Sequence, residues 1–294
     1  MKRAKFEYLG PDTMEAACAI LAEKGGAVHV LAGGSDLMLK ITHGMVKPEC
    51  VMGLKKIKGL DEILFDPKRG LRIGAMARLV DVATHPAILK RYPAVARGAG
   101  ETANTQIRNM GTVIGNICNA APSADNAPAL MAMRASVILA SLGKEREVAL
   151  DRFFKGPGQT MRRPDELVTA VTVPLPRPRS GASYQHISPR GKVDISAVCV
   201  GVMLVMDGKT CETARVVLGA VAPVPMRALK TEQLLEGRVV TDSVIDKAGR
   251  IAASEARPIS DVRASAAYRR QMVSVLTRRG IKEALNRATG RKKG

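Results

Sequence analysis

A proline-rich run, PLPRPRSG at positions 174–181, divides this chain more firmly than any other feature of its sequence. Proline has no N–H to give to a ladder and fixes φ, so neither strand nor helix continues through such a run. The chain must build one folding unit before it and another after it, joined by an extended linker. With 294 residues in all, both sides are long enough to bury a core.

What can fill those cores is limited. There is no Trp, and aromatics make up only 3% of the residues, so Val, Ile, Leu, Ala and Met must do the packing. Methionines such as Met14, Met38, Met45 and Met52 read as gap-filling residues. The five cysteines, Cys18, Cys50, Cys118, Cys199 and Cys211, show no C-x-x-C spacing. An odd, scattered set argues against a disulfide framework and against a zinc or iron–sulfur site. They read as small buried apolar groups in a reducing cytosol. The start, MKRAKFEYLG, lacks the apolar region of a signal peptide. The longest apolar stretch, 197–206, is about half of what a membrane span needs. These observations predict a cytoplasmic protein without a membrane span.

Before the linker the pattern is mixed. Asp12 and Glu15 fit a helix N-cap and its reciprocal partner. Ala16, Ala17, Ile20 and Leu21 share one helical face. Gly25 and Gly26 end that helix, and strands at 28–32 and 51–54 complete a small β-α-β unit. Short strands at 71–73, 137–141 and 168–173 alternate with helices at 79–84 and 93–103. Positions 109–125 read as a turn-rich loop. After the linker, β-rich runs at 197–206 and 213–221 flank Asp207-Gly208, a hairpin turn signal. Helices follow at 231–235 and 243–256, with a long basic one from about Arg263. The divisions expected are 1–55, 56–177 and 178–288, with a frayed tail at 289–294.

Two glycine-bearing turns carry the chemistry. Ala32-Gly33-Gly34-Ser35-Asp36 follows a strand directly. Glycines let backbone amides approach a phosphate, and successive N–H groups form an anion-binding concavity. Ser35 and Asp36 could cap the next segment or bind ribityl hydroxyls. A plain structural turn explains the same residues. The pattern is neither G-x-G-x-x-G nor a P-loop. The second turn, Gln106-Ile107-Arg108-Asn109-Met110-Gly111-Thr112-Val113-Ile114-Gly115-Asn116, with Pro122-Ser123-Ala124-Asp125 after it, offers short donors and one carboxylate. It is compatible with a ligand or with a self-satisfied Asn-rich loop. Together the turns suggest one extended, phosphorylated cofactor held between subdomains.

These motifs, AGGSD and IRNMGTVIGN-x-CNAAPSAD, resemble the FAD-binding subunits of the molybdenum hydroxylase and xanthine dehydrogenase family. The likeness continues in Asp165-Glu166-Leu167, Tyr184-Gln185-His186, Ser188-Pro189-Arg190, Asp194-Ile195, Asp261-Val262-Arg263 and Tyr268-Arg269, and so covers nearly the whole chain. The resemblance implies an α+β fold: a two-subdomain FAD-binding domain of the vanillyl-alcohol-oxidase-like type, then a smaller α+β C-terminal domain. It implies FAD contacts at Ala32, Gly33, Gly34, Ser35, Asp36 and Leu37, at Thr112, Gly115 and Asn116, and at Asp125, Leu167 and His186. The implied partners are a large molybdopterin-binding subunit and a small [2Fe–2S] subunit, in a dimer of three-chain units. Electrons would pass from those clusters through FAD to NAD, a quinone or another protein. The cofactor carries the redox chemistry, so no catalytic acid or base is expected. Two positions depart from the family pattern. Ile114 stands at the first of two glycine positions, where a branched side chain is expected to hinder phosphate approach. His186 replaces a lysine common in relatives.

Ile114 leaves open an alternative, a cofactor-free scaffold of the same fold. The net charge of +19 raises another, nucleic-acid binding. Positions 263–293 hold ten Lys or Arg against one acid, Glu283. No RNP, helix-turn-helix or zinc pattern accompanies them, and few aromatics exist to stack on bases. A solvated helix face and a surface for acidic partner subunits account for this charge better. His29, His43, His85 and His186 form no metal-ligand spacing.

Overall fold

The computed structural model describes residues 5–191 and 194–290. The chain begins with strand β1 (Glu7–Leu9), helix α1 (Met14–Lys24), β2 (Val28–Leu31), α2 (Leu37–Thr42) and β3 (Cys50–Gly53). The three strands form a parallel sheet in the order β1-β3-β2. Helix α1 is capped by Thr13, whose Oγ1 accepts from the Ala16 N–H at 3.1 Å. The expected cap, Asp12, lies one residue too early. Ala17, Cys18 and Leu21 form the buried face of α1, with Ile20 packed beside them.

A second sheet is antiparallel, in the order β4-β5-β10-β6-β7. Its strands are β4 (Ile63–Asp66), β5 (Gly70–Gly74), then, after six helices, β6 (Ser136–Ser141) and β7 (Lys144–Ala149). The helices are α3 (Leu79–Thr84), α4 (Pro86–Arg91), α5 (Pro93–Glu101), α6 (Thr105–Arg108), α7 (Val113–Asn119) and α8 (Asn126–Ala132). A small hairpin, β8 (Phe154–Gly156) and β9 (Gln159–Thr160), precedes the central strand β10 (Leu167–Val173). The expected loop at 109–125 is therefore partly helical. Thr112 caps α7 by accepting from the Gly115 N–H at 2.9 Å, a device that the surrounding Asn and Gly residues obscure in sequence.

The last two residues of the proline-rich run already belong to a strand: β11 (Ser180–Ile187), β12 (Val198–Asp207), β13 (Thr210–Gly219) and β14 (Met226–Arg227) form an antiparallel sheet in chain order. Asp207 pairs with Thr210 across a tight turn whose Gly208 has a φ of 57°. Strand β11, SGASYQHI, has no clear apolar alternation, and pairing with β12 along its length defines it. Helices α9 (Leu229–Leu235), α10 (Asp242–Glu255) and α11 (Ala266–Thr289) complete the unit. Gly290 closes α11, and the rest of the expected tail lies outside the described residues.

Strand β12 is buried on both faces, and its two-residue period divides it between two cores. Cys199, Met203 and Val205 join the core of the first two sheets. Val198, Val200, Val202, Leu204 and Met206 join the core under α10 and α11. On the first face Gly201 is required: a Cβ there would lie 2.2 Å from the Pro128 carbonyl oxygen of α8. The sheet after the linker therefore presses directly on α8.

The basic helix α11 is partly an internal strut. Arg269 is 3% exposed and donates to the carbonyls of Ala197 (2.6 Å) and Ala220 (2.9 Å) and to Asp261 (2.7 Å). Arg278, Lys282 and Arg287 pair with Asp246, Asp242 and Glu283. Backbone N–H groups, chiefly that of Arg263, with Arg269 assisting, hold the Asp261 carboxyl down at about 2. That lies below the unfolded value of about 3.9. Asp261 thus adds stability above pH ~4 that is lost as pH falls towards about 2. Arg269→Ala leaves buried acceptors unpaired and should destabilise the protein by about 3 kcal/mol in urea unfolding. Asp261→Asn should lower stability at pH 7 and flatten its dependence below pH ~4, read by the same titration.

Candidate functional site

The turn after β2 passes over the backbone of the second glycine turn. A Cβ on Gly33 would sit 2.0 Å from the Met110 carbonyl oxygen and 2.8 Å from the Gly111 Cα. No side chain fits there. Gly34, next to it, has a φ of 80°, in the left-handed region that favours glycine. The two turns, distant in sequence, are thus in backbone contact. Side chains tie them further: Asn119 donates to Asp36 at 3.1 Å, and Lys40 donates to Asn119 Oδ1 at 2.5 Å. Asp36 makes no capping bond to α2. The second turn is anchored in turn by the Leu79 N–H, which donates to the Gly111 carbonyl at 2.9 Å.

Between these turns lies a cleft of about 670 Å³. That volume is in the range of cofactor sites. Ala32, Gly33, Gly34, Ser35, Asp36 and Leu37 line it, as do Thr112, Gly115 and Asn116. Asp125 and Leu167 also reach its wall. Asn116 is held by Asn126, whose Nδ2 donates to its Oδ1 at 3.0 Å. Leu167 opens β10 beside Glu166, which Arg146 clamps at 2.5 and 2.8 Å. That hydrogen-bonded pair holds the Glu166 carboxyl below the usual range.

Two positions singled out in the sequence stand differently here. His186 is not among the residues lining the cleft; it lies on β11, stacked on Tyr184 with ring centroids 6.1 Å apart. Strand pairing with Cys199 fixes it there. Ile114 is helical and 4% exposed, packed into the core of the first two sheets. Its branched side chain also borders the cleft, beside Thr112, Gly115 and Asn116. The bare backbone at Gly33 and the size of the cleft fit a dinucleotide.

Several lining residues were not among the expected cofactor contacts, although Cys118, Asn119 and Asp194 lie inside the family motifs. His29, Lys40, Cys118, Asn119, Arg162 and Asp194 all border the cleft. Burial, and then the charge of Arg162, push the His29 imidazole below its ordinary value, favouring its neutral form. Burial pushes the Cys118 thiol up to about 12, which keeps it protonated. Arg162 is placed by its own backbone contacts, donating to the Glu166 carbonyl at 2.8 Å. Lys40 could have been suspected from its place four residues after Asp36 in the next helix. Nothing local marks Arg162. Among the described residues, no His, Cys, Asp and Glu group could hold a metal ion. Nor is any described helix long and apolar enough to cross a membrane.

Comparison with known proteins gives this cleft its context. The family described as FAD binding domain in molybdopterin dehydrogenase matches residues 4–176, and the CO dehydrogenase flavoprotein C-terminal domain matches residues 183–284. The carbon monoxide dehydrogenase medium chain of Afipia carboxidovorans is 30% identical, covering 96% of this chain and 98% of its own. The nicotinate dehydrogenase FAD-subunit of Eubacterium barkeri is 27% identical, covering 97% and 98%. The solved structure of carbon monoxide dehydrogenase from Hydrogenophaga pseudoflava superposes with a TM-score of 0.93 at 28% identity, over 98% of this chain and 99% of that one. Fold and cleft thus define an oxidoreductase subunit of the FAD-binding class. Within that class, the chain belongs to the molybdenum hydroxylase family of flavoprotein subunits, which includes the carbon monoxide and xanthine dehydrogenases.

The contact at Gly33 can be tested directly. Gly33→Ala must push the two turns apart, at a cost of about 1–3 kcal/mol. FAD affinity should fall at least tenfold, measured by fluorescence titration of the apoprotein.

Proposed function

We propose that this chain carries one FAD in the cleft between the two glycine turns. There it would link a small [2Fe–2S] subunit, fed by a large molybdopterin-binding subunit, to an external electron acceptor. The observation that supports this most is the backbone contact between Gly33 and Met110, which brings two glycine turns to one cleft. In this reading the amides of Ala32, Gly33, Gly34, Ser35, Asp36 and Leu37 and the Thr112, Gly115 and Asn116 segment receive the diphosphate. Lys40 and Arg162 supply positive charge at the same cleft. Asp125 accepts from a hydroxyl or N–H of the cofactor, and Leu167 packs against it. His186, stacked on Tyr184, acts through its charge on Asp125. Bound there, FAD supplies the redox chemistry, while the chain binds it, orients it and sets its surroundings.

The same proposal places the unit boundaries at 1–55, 56–177 and 178–288 and the protein in the cytoplasm, for which five free cysteines speak. The medium-chain relatives support assembly with large and small subunits, as a dimer of three-chain units. The net charge of +19 suits docking to acidic partner surfaces. Purified protein should show flavin absorbance at one FAD per chain. With FAD at a hundredfold excess over Kd, the folded state should gain about 2.7 kcal/mol, seen as a higher Tm. Colourless protein that takes up no added FAD and gains no stability from it would sink the proposal.

A further inference from the structure

The carboxylate of Asp125 is the meeting point of the two halves of the chain. It sits at the start of α8, is 7% exposed, and borders the cleft. Its Oδ1 accepts two hydrogen bonds, both from beyond the linker. Tyr184 of β11 donates at 3.0 Å, and Ser196, just before β12, donates at 2.5 Å. Among the described residues, Oδ2 has no hydrogen-bond partner, and it is not one of the occluded, unpaired atoms. A carboxylate has lone pairs on both oxygens, so the second oxygen keeps its accepting capacity.

Both donors are themselves fixed. Tyr184 and Ser196 are fully buried, at 0% and 1% exposure. Burial pushes the Tyr184 hydroxyl well above its ordinary value, so it stays a donor. Tyr184 is positioned by pairing with Gly201, whose missing Cβ lets β12 press on α8. Asp194 and Ile195, the two residues before Ser196, line the cleft themselves. The unit after the linker thus reaches the site both directly and through Asp125.

We infer that Tyr184 and Ser196 are positioning residues for the cofactor: they fix Asp125 by Oδ1 so that Oδ2 presents a preset acceptor to a hydroxyl or N–H of the bound dinucleotide. The cofactor site is then incomplete without the C-terminal sheet, and FAD binding is coupled to the docking of that sheet on α8. Charge-assisted hydrogen bonds of this kind lose most when one donor is removed from a buried carboxylate. The inference rests on FAD occupying this cleft.

The test uses the full chain and four variants, Tyr184→Phe, Ser196→Ala, Ser196→Thr and the Phe/Ala pair. FAD affinity is measured by fluorescence titration and the apoprotein Tm by calorimetry. Tyr184→Phe and Ser196→Ala should each weaken FAD binding roughly tenfold, and the pair more than either. Ser196→Thr, which keeps the hydroxyl, should restore affinity to near that of wild type. A purely structural role predicts equal Tm losses with and without FAD and unchanged affinity for the folded fraction. Variants that bind FAD as wild type does, or a Thr variant no better than Ala, overturn this inference alone. A wild-type chain that takes up no FAD overturns the cofactor reading as well. If Tyr184→Phe does not fold, the Ser196 pair decides.

Discussion

The structure turns on one steric fact. The backbone of the turn after β2 lies against the backbone of the turn before α7, with no room for a β-carbon at Gly33. That approach puts the amides of two remote segments on one cleft. It also fixes the small parallel sheet relative to the larger antiparallel one. The Asp36–Asn119–Lys40 chain of hydrogen bonds repeats the same connection with side chains. A phosphate-binding surface made of backbone needs this kind of support, because amides carry no side chain with which to adjust their aim.

Strand β12 performs a second joining task. Its alternate residues belong to different cores, so the sheet after the linker cannot leave α8 without exposing the apolar face of Cys199, Met203 and Val205. Asp125 lies at the seam. Its environment is set by groups from both halves, and burial raises its carboxyl while the Ser196 and Tyr184 hydroxyls oppose the shift. The proline-rich linker separates the halves in sequence, yet the cleft draws on both.

The positive charge is distributed unevenly between structure and surface. In α11, Arg269 is buried among carbonyls, and Arg278, Lys282 and Arg287 face carboxylates. What looks in sequence like one solvated basic face is therefore one buried arginine and a set of ion pairs, mostly at the surface.

Much of this was legible in the sequence, for definite reasons. Apolar runs marked β2, β3, β10, β12 and β13, because burial on a sheet requires them. Glycine pairs marked the turns, because the backbone there needs freedom that only glycine has. The family motifs carried the identity of the cofactor and the residues expected near it. Elements without a pattern of their own stayed hidden. Helix α7 is short, rich in Gly and Asn, and started by a threonine cap. Strand β11 is a strand only because β12 lies beside it. His186 shares the face of β11 with Tyr184 and stacks on it, a placement set by the pairing of β11 with β12. Arg162 entered the site through folding alone. The chain's sequence determined where it bends and which segments are apolar, since those are local properties of residues. Which bends meet, which oxygen of Asp125 is taken, and which side chains complete the cleft were decided by the packing of remote segments, where contact depends on the whole fold.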